Sequence, residues 1–410
     1  MKRLYVILLV SILVFTMVGC DSKAKIDTEP SVKKETITLW SYYETEAQQA
    51  SLDMLIQEFN LSQEKYTASW SYIPMEDFTK RLSIGVTENQ LPDMVIIDNP
   101  DMSTYVNLDL FEDISSYLNK WSNTDDYYPQ VWKSVQYNGR YYGIPFCCNN
   151  VALIYNTDML EQANIDPPKS WEDFSLATQK LTNADHYGFA MSAAEGEQSA
   201  FQILPWILST GETIPTIGSN KTRRAFTYLQ ELLKNGYMDT NCINWSQNDV
   251  ARKFVAGETA MMENGPWVLP ILQQEKISYG ITALPVDEKS VIITGGENLG
   301  VIKGKNIDGA MAFLEYYNQD SVMQRASKMA YALPPKVSLA EQLARENSDY
   351  AIFVEQMKVG MPRSLYTQWT QISNLLSEAS YNLMTGEATP KEITRDLKHK
   401  MKELMEQEKN

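Results

Sequence analysis

The chain reads as an α/β protein built on mainly parallel sheets, and three features of its sequence say so. Strand and helix patterns alternate as strand–helix–strand–helix–strand across residues 36–98. The run Met94-Val-Ile-Ile-Asp98 is apolar on both faces, as expected of a strand covered by helices on both sides. A second α/β series follows in a chain of 410 residues, more than one core usually organises, so two domains are expected.

The elements follow in order. Thr36-Ile-Thr-Leu-Trp40 alternates as a strand, and residues 47–59 carry the helical period. Residues 66–72 alternate again, residues 78–86 are helical, and Leu91-Pro92-Asp93 leads into the apolar strand. Ligands in such sheets bind beyond the carboxyl ends of the strands. Here those ends are residues 41–44 and Asp98-Asn99. Asn138-Gly139 predicts a hairpin turn, because this pair accepts positive φ at both central positions. Residues 146–156 then read as one long strand. The second unit has helices over 171–181, 200–208 and 223–235, with a strand at 187–192. The tail is helical, interrupted at Leu333-Pro-Pro335, Met361-Pro362 and Thr385-Gly386.

Gly257-Glu-Thr-Ala-Met-Met-Glu-Asn-Gly-Pro-Trp267 is the densest local signal. Gly257 stops the helical run 250–256, Ala260-Met261-Met262 reads as a buried strand, and Asn264-Gly265-Pro266 turns the chain. An indole on such a stiff turn is either a core plug or a rigid apolar platform with one N–H donor. A sugar ring, with one C–H face and a rim of hydroxyls, suits the platform.

The N-terminus reads as an export signal: Lys2-Arg3, an apolar run over 4–18, then Met17-Val18-Gly19-Cys20. The run is short for a membrane span, which takes about 20 residues. Residues 21–35 are polar and aperiodic and are expected to be a flexible tether. Formal charge is −16, and loss of Lys2 and Arg3 with the signal would leave −18 (−16 − 2). Such acidity argues against a nucleic-acid partner, which needs clustered Lys and Arg. Beyond Cys20 stand Cys147, Cys148 and Cys242, with no zinc spacing; they are expected to be buried thiols, the alternatives being a vicinal disulfide or a bond from one of that pair to Cys242. His186 and His399 have no partner motif. A His-based nucleophile or metal site is therefore not expected, and neither is a cofactor.

Taken together, these residues resemble the family 1 extracellular solute-binding proteins of ABC importers, the maltose- and oligosaccharide-binding lipoprotein type. The resemblance rests on Ile37-Thr-Leu-Trp40, Leu91-Pro-Asp-Met-Val-Ile-Ile97, Asn138-Gly-Arg-Tyr-Tyr-Gly-Ile-Pro145 with Leu153-Ile-Tyr-Asn156, and Pro168-Lys-Ser-Trp-Glu-Asp-Phe174. It continues through residues 257–267, Tyr279-Gly-Ile-Thr-Ala-Leu-Pro285, Gly295-Gly296 and Thr385-Gly-Glu-Ala-Thr-Pro390, in the family's order. Met17 to Cys20 resembles a lipobox, with Met17 where Leu is usual, which implies lipidation of Cys20 and a place on the outer face of the cytoplasmic membrane.

The resemblance implies a two-lobed periplasmic-binding-protein fold (type II), each lobe a mainly parallel sheet flanked by helices. Lobe 1 would comprise 36–148 and 291–333, and lobe 2 would comprise 149–290 and 334–410. Two crossings, at residues 146–150 and 285–295, would join them. It implies a monomer that closes on a sugar, expected to be an oligosaccharide, and presents it to the permease subunits. Trp267, with Asn264 in its turn, matches the family's stacking Trp. Glu44, Asp98 and Asn99 stand at strand ends, where a helix-dipole or capping role is the alternative. Asn149 lies in the first crossing where maltose binders carry an acid, which puts maltose itself in doubt. Glu297 could reach the cleft from the second crossing. Trp369 resembles a second stacking aromatic, at a longer spacing to Gly386 than in maltose binders, and Tyr42, Tyr43 and Trp206 are further aromatic candidates. A glycoside hydrolase is the rival from another class, but no acid–nucleophile pair sits in a recognisable motif. A ferric ion would need more than Tyr141-Tyr142, whereas a polyamine site stays open through Glu44, Asp98 and Glu297.

Overall fold

The computed structural model describes residues 34–407. The export signal, Cys20 and nearly all of the expected tether lie outside the described residues.

Among the described residues twelve strands run in chain order: β1 Glu35–Ser41, β2 Tyr66–Tyr72, β3 Met94–Asp98, β4 Gln136–Tyr137, β5 Arg140–Tyr141, β6 Gly143–Pro145, β7 Ala152–Asn156, β8 Met261–Asn264, β9 Tyr279–Thr282, β10 Ile293–Thr294, β11 Glu297–Val301 and β12 Met361–Pro362. The first lobe is built on a sheet of order β2-β1-β3-β11-β6. β1 pairs in parallel with β2 and β3, while β11 is antiparallel to both β3 and β6. The apolar strand β3 is buried throughout, as its two-sided hydrophobicity requires. β4 and β5 form the expected hairpin, and Asn138 and Gly139 hold φ of 49° and 76° in its turn.

The second sheet has the order β8-β7-β9, with β7 antiparallel to both neighbours. Parallel bridges at Tyr187–Thr259 and Ala190–Met262 extend it; these bridges stand where a full strand was expected over 187–192. β7 and β11 run against their neighbours for one physical reason. Each follows directly on a crossing segment and enters its sheet from the cleft side, whereas β1 and β3 end there.

The expected long strand over 146–156 is broken. Residues 146–151 form the crossing, and regular pairing begins only at β7. Asn149 bridges Gly295, and Cys148 bridges Leu333, so three segments rather than two run side by side between the lobes. Gly296, at φ 125°, lies so close to this strand that a Cβ would fall 2.3 Å from the Cys147 carbonyl oxygen; no residue with a side chain fits there.

Separate cores lie on the two sides. One gathers Leu39, Leu55, Ile96, Leu299, Phe313 and Leu314 between the first sheet and its helices. Another gathers Phe174, Phe189, Trp206, Phe226, Trp369 and Leu376 around the helix Glu197–Ser209. Cys147, Cys148 and Cys242 are buried and unpaired. No helix among the described residues is long and apolar enough to cross a membrane.

Candidate functional site

Where β1, β3, β8 and the crossing segments converge, a cleft opens with an empty volume of about 1100 Å³, part of it open to solvent. Tyr42, Tyr43 and Glu44 follow β1, Asp98 ends β3, and Cys147 and Asn149 come from the first crossing. Glu297 opens β11, Trp267 follows β8, and Arg363 follows β12.

Trp267 stands where the local sequence aims it. The helix Gln247–Val255 begins with a capping box between Ser246 and Asp249. It ends in a Schellman turn: Gly257 (φ 76°) donates to the Phe254 carbonyl at 3.0 Å, and Glu258 donates to that of Lys253 at 3.0 Å. β8 follows at once. Asn264 is fully buried; its amide donates to the Gln247 carbonyl at 2.9 Å and its side-chain oxygen accepts from Gly265 N–H at 3.1 Å. The indole lies against Gly265, where a Cβ would sit 1.9 Å from the ring. Trp267 is half-buried against the second-lobe core and lines the cleft, and its Nε1 has no hydrogen-bond partner. Asn264 therefore acts by fixing the turn and does not reach the cleft.

The floor is acidic and organised around one cation. The Arg363 guanidinium, 3 % exposed, grips Asp98 with both ends, Nη1 to Oδ2 at 3.0 Å and Nη2 to Oδ1 at 2.8 Å. Nη1 also donates to Glu197, and the ring of Phe201 lies 4.6 Å from the guanidinium carbon. Glu197 accepts from Trp369 Nε1 at 3.1 Å and from the Ser373 hydroxyl. Glu297 accepts from the Cys147 thiol at 2.5 Å and from the Tyr42 hydroxyl at 3.4 Å. Burial pushes its carboxyl up to about 7, aided by the charge of Asp98 and opposed by the thiol hydrogen bond and Arg363. Asp101, behind Asp98, is raised to about 8, first by burial and then by the charges of Asp98 and Glu197. Burial raises the Cys147 thiol too, so it is protonated and donates.

Of the residues the sequence singled out, Trp267, Glu44, Asp98, Asn149, Glu297, Tyr42 and Tyr43 line the cleft. Tyr43 is 2 % exposed, with its hydroxyl 3.3 Å from the Cys147 sulfur. Four others do not line it. Trp206 is a core residue of the second lobe, packed with Phe174 and Phe189 and donating to Glu263 at 2.7 Å. Trp369 is 1 % exposed and supports Glu197 from behind rather than stacking on a ligand. Asn99 is buried with its backbone N–H on the Gly296 carbonyl at 2.8 Å, and Asn264 serves the turn. In each case packing has claimed the side chain. Sequence reasoning missed Arg363, Glu197, Phe201, Asn248 and Tyr331, all in the lining. The one available signal was Glu197 at the head of an apolar helix, and Arg363 directly follows a Met-Pro break that reads as punctuation.

These residues make a binding surface: an aromatic wall, amides, and carboxylates as acceptors. No group of three or more His, Cys, Asp or Glu among the described residues is arranged to hold a metal ion.

The family model described as bacterial extracellular solute-binding protein matches residues 54–351. The multiple sugar-binding protein of Streptococcus mutans is 23 % identical over 320 residues, covering 72 % of this chain and 74 % of its own. The maltodextrin-binding protein of Bacillus subtilis is 22 % identical over 313 residues, covering 69 % and 72 %. Among solved structures, the GacH receptor of Streptomyces glaucescens, described unliganded and with acarbose, superposes with a TM-score of 0.82 at 20 % identity, over 91 % of this chain and 99 % of that one. The maltotriose-binding protein of Thermus thermophilus gives 0.78 at 19 % identity, over 90 % and 100 %. The fold is thus the two-lobed one of these receptors, and the chain belongs to the bacterial extracellular solute-binding protein family, whose members bind solutes rather than transform them.

Proposed function

We propose that this protein is the sugar-binding receptor of an ABC importer. It takes an oligosaccharide into the interlobe cleft and hands it to the permease subunits. The observation that carries this reading is Trp267, half-buried on a turn fixed by Asn264 and Gly265, lining a cleft that also holds Glu44, Asn149 and Glu297. Carboxylates accept strong charge-assisted bonds from hydroxyls, and an indole takes the C–H face of a pyranose. The ligands named for the Streptococcus mutans and Bacillus subtilis relatives support the same class.

Lobe 1 comprises residues 36–148 and 291–333, lobe 2 comprises 149–290 and 334–410, and the lobes close by bending at the crossings. The receptor works as a monomer, held to the outer face of the cytoplasmic membrane by a lipid on Cys20. A second reading, a polyamine or similar cationic solute, is favoured by the acids that surround Arg363.

A thermal-shift screen across mono- and oligosaccharides, with spermidine as a control, tests the class, since binding to the folded state raises the melting temperature. Trp267→Ala is expected to weaken the best sugar at least tenfold in calorimetry, with the melting temperature of the free protein little changed. Unchanged affinity removes Trp267 from the site.

A further inference from the structure

The residues lining the cleft include Glu44, Asp98, Glu197 and Glu297, against Arg363 as the one Lys, Arg or His among them. In a folded site such an imbalance has a consequence for any ligand that carries charge, because opposite charges attract and like charges repel far more strongly there than in water. The distribution matters as much as the count. Arg363 is already held by two carboxylates, in a bidentate grip on Asp98 and a bond to Glu197, and it is 3 % exposed. Its Nε makes no bond, but it is buried with the rest of the group. A ligand carboxylate or phosphate reaching this guanidinium would have to displace one of those carboxylates or lie beside both.

The other sources of positive potential are in part occupied. Three helices direct their N-termini at the cleft, where the helix dipole favours an anion. At Glu46–Ser62 the Thr45–Gln48 capping box takes the Gln48 N–H, and at Gln247–Val255 the Ser246–Asp249 box takes the Asp249 N–H. At Glu197–Ser209 the helix carries Glu197 in its own first turn.

By contrast, acceptors remain open. Glu44 is exposed on the lining, and no hydrogen bond or ion pair engages its carboxylate. Glu297 has only a thiol and a long tyrosine bond for donors. Tyr42, Tyr331 and Trp267 stand around these groups, and aromatic faces also attract a cation.

Resting on the sugar reading, we infer that the cleft selects its saccharide by charge: it favours sugars bearing a primary amine over their neutral counterparts and rejects sugars bearing a carboxylate or phosphate. Glu44 and Glu297 are the residues that set this preference.

Calorimetry on the purified protein at pH 7.5 tests it with matched disaccharides in gluco, galacto and manno configuration. Each is supplied as the 2-amino, 2-acetamido, 2-hydroxy and uronate form. In the configuration that binds, the amine is expected to bind at least tenfold tighter than its acetamido form, and the uronate at least tenfold weaker than the neutral sugar. Both ratios shrink at 0.5 M salt, and Glu297→Gln and Glu44→Gln each reduce the amine preference at least threefold. A uronate that binds as well as the neutral sugar, or an amine no better than its acetamide, overturns the charge inference and leaves the sugar reading standing. Binding of spermidine with no saccharide of any charge overturns the sugar reading itself.

Discussion

Glu297 shows how one side chain can be costly to the fold and useful to the site. Its carboxyl is raised from an ordinary 4.5 to about 7, chiefly by burial, so the folded state holds the proton more tightly than the unfolded chain. The stability linked to that proton is complete below about pH 4.5 and is lost as pH rises through about 7. Asp101, raised from 3.8 to about 8, acts with the same sign. The melting temperature of the ligand-free protein is therefore expected to fall between pH 5.5 and pH 8. Glu297→Gln, which removes a buried charge, is expected to narrow that fall and to raise the melting temperature at pH 7.5. A flat profile in the wild type counts against the burial argument. The sequence made Glu297 a candidate because it follows two glycines. The thiol of Cys147 against it was invisible, since that contact spans 150 residues of chain.

At the scale of elements, local chemistry predicted most of the helices, often to within a few residues. Capping boxes such as Ser170–Asp173, which opens the helix Trp171–Leu181, fix a boundary through neighbours in sequence. The turn from Asn264 to Trp267 was equally legible, and it yields a sharp test. At φ −107° the Gly265 backbone is ordinary, so its lack of a side chain matters only because the Trp267 ring occupies the space a Cβ would take. Gly265→Ala is expected to turn the indole away, lowering ligand affinity about as much as Trp267→Ala and shifting the tryptophan emission. Affinity equal to wild type would mean that the ring position is not set by this glycine. The expected strand over 146–156 failed halfway because apolar alternation does not say whether a strand stays in one sheet. Residues 146–151 pair with segments from two distant parts of the chain instead.

For the whole molecule, the buried Asp98–Arg363–Glu197 triad joins the end of β3 to the head of the helix Glu197–Ser209. Removing one partner of a buried ion group costs about 3–5 kcal/mol, because the others are left uncompensated. Arg363→Met is expected to lower unfolding stability in urea at pH 7.5 by about that amount, leaving two carboxylates without their cation. A change below about 1 kcal/mol, the scale of an exposed pair, would show that the triad does not help to join the lobes.

Alternating strand and helix patterns, the fully apolar β3 and the chain length were enough for an α/β protein in two parts. Helix stops and turn residues were enough to place Trp267 on a rigid turn. These are short-range properties, written in residues that are neighbours in sequence. The acidic floor, the third segment between the lobes and the withdrawal of Trp206 and Trp369 into supporting positions depend on which distant segments pack together. A tryptophan pattern is the same whether the ring faces a cleft or a core, and a charge gains meaning only from the partner that folding brings to it.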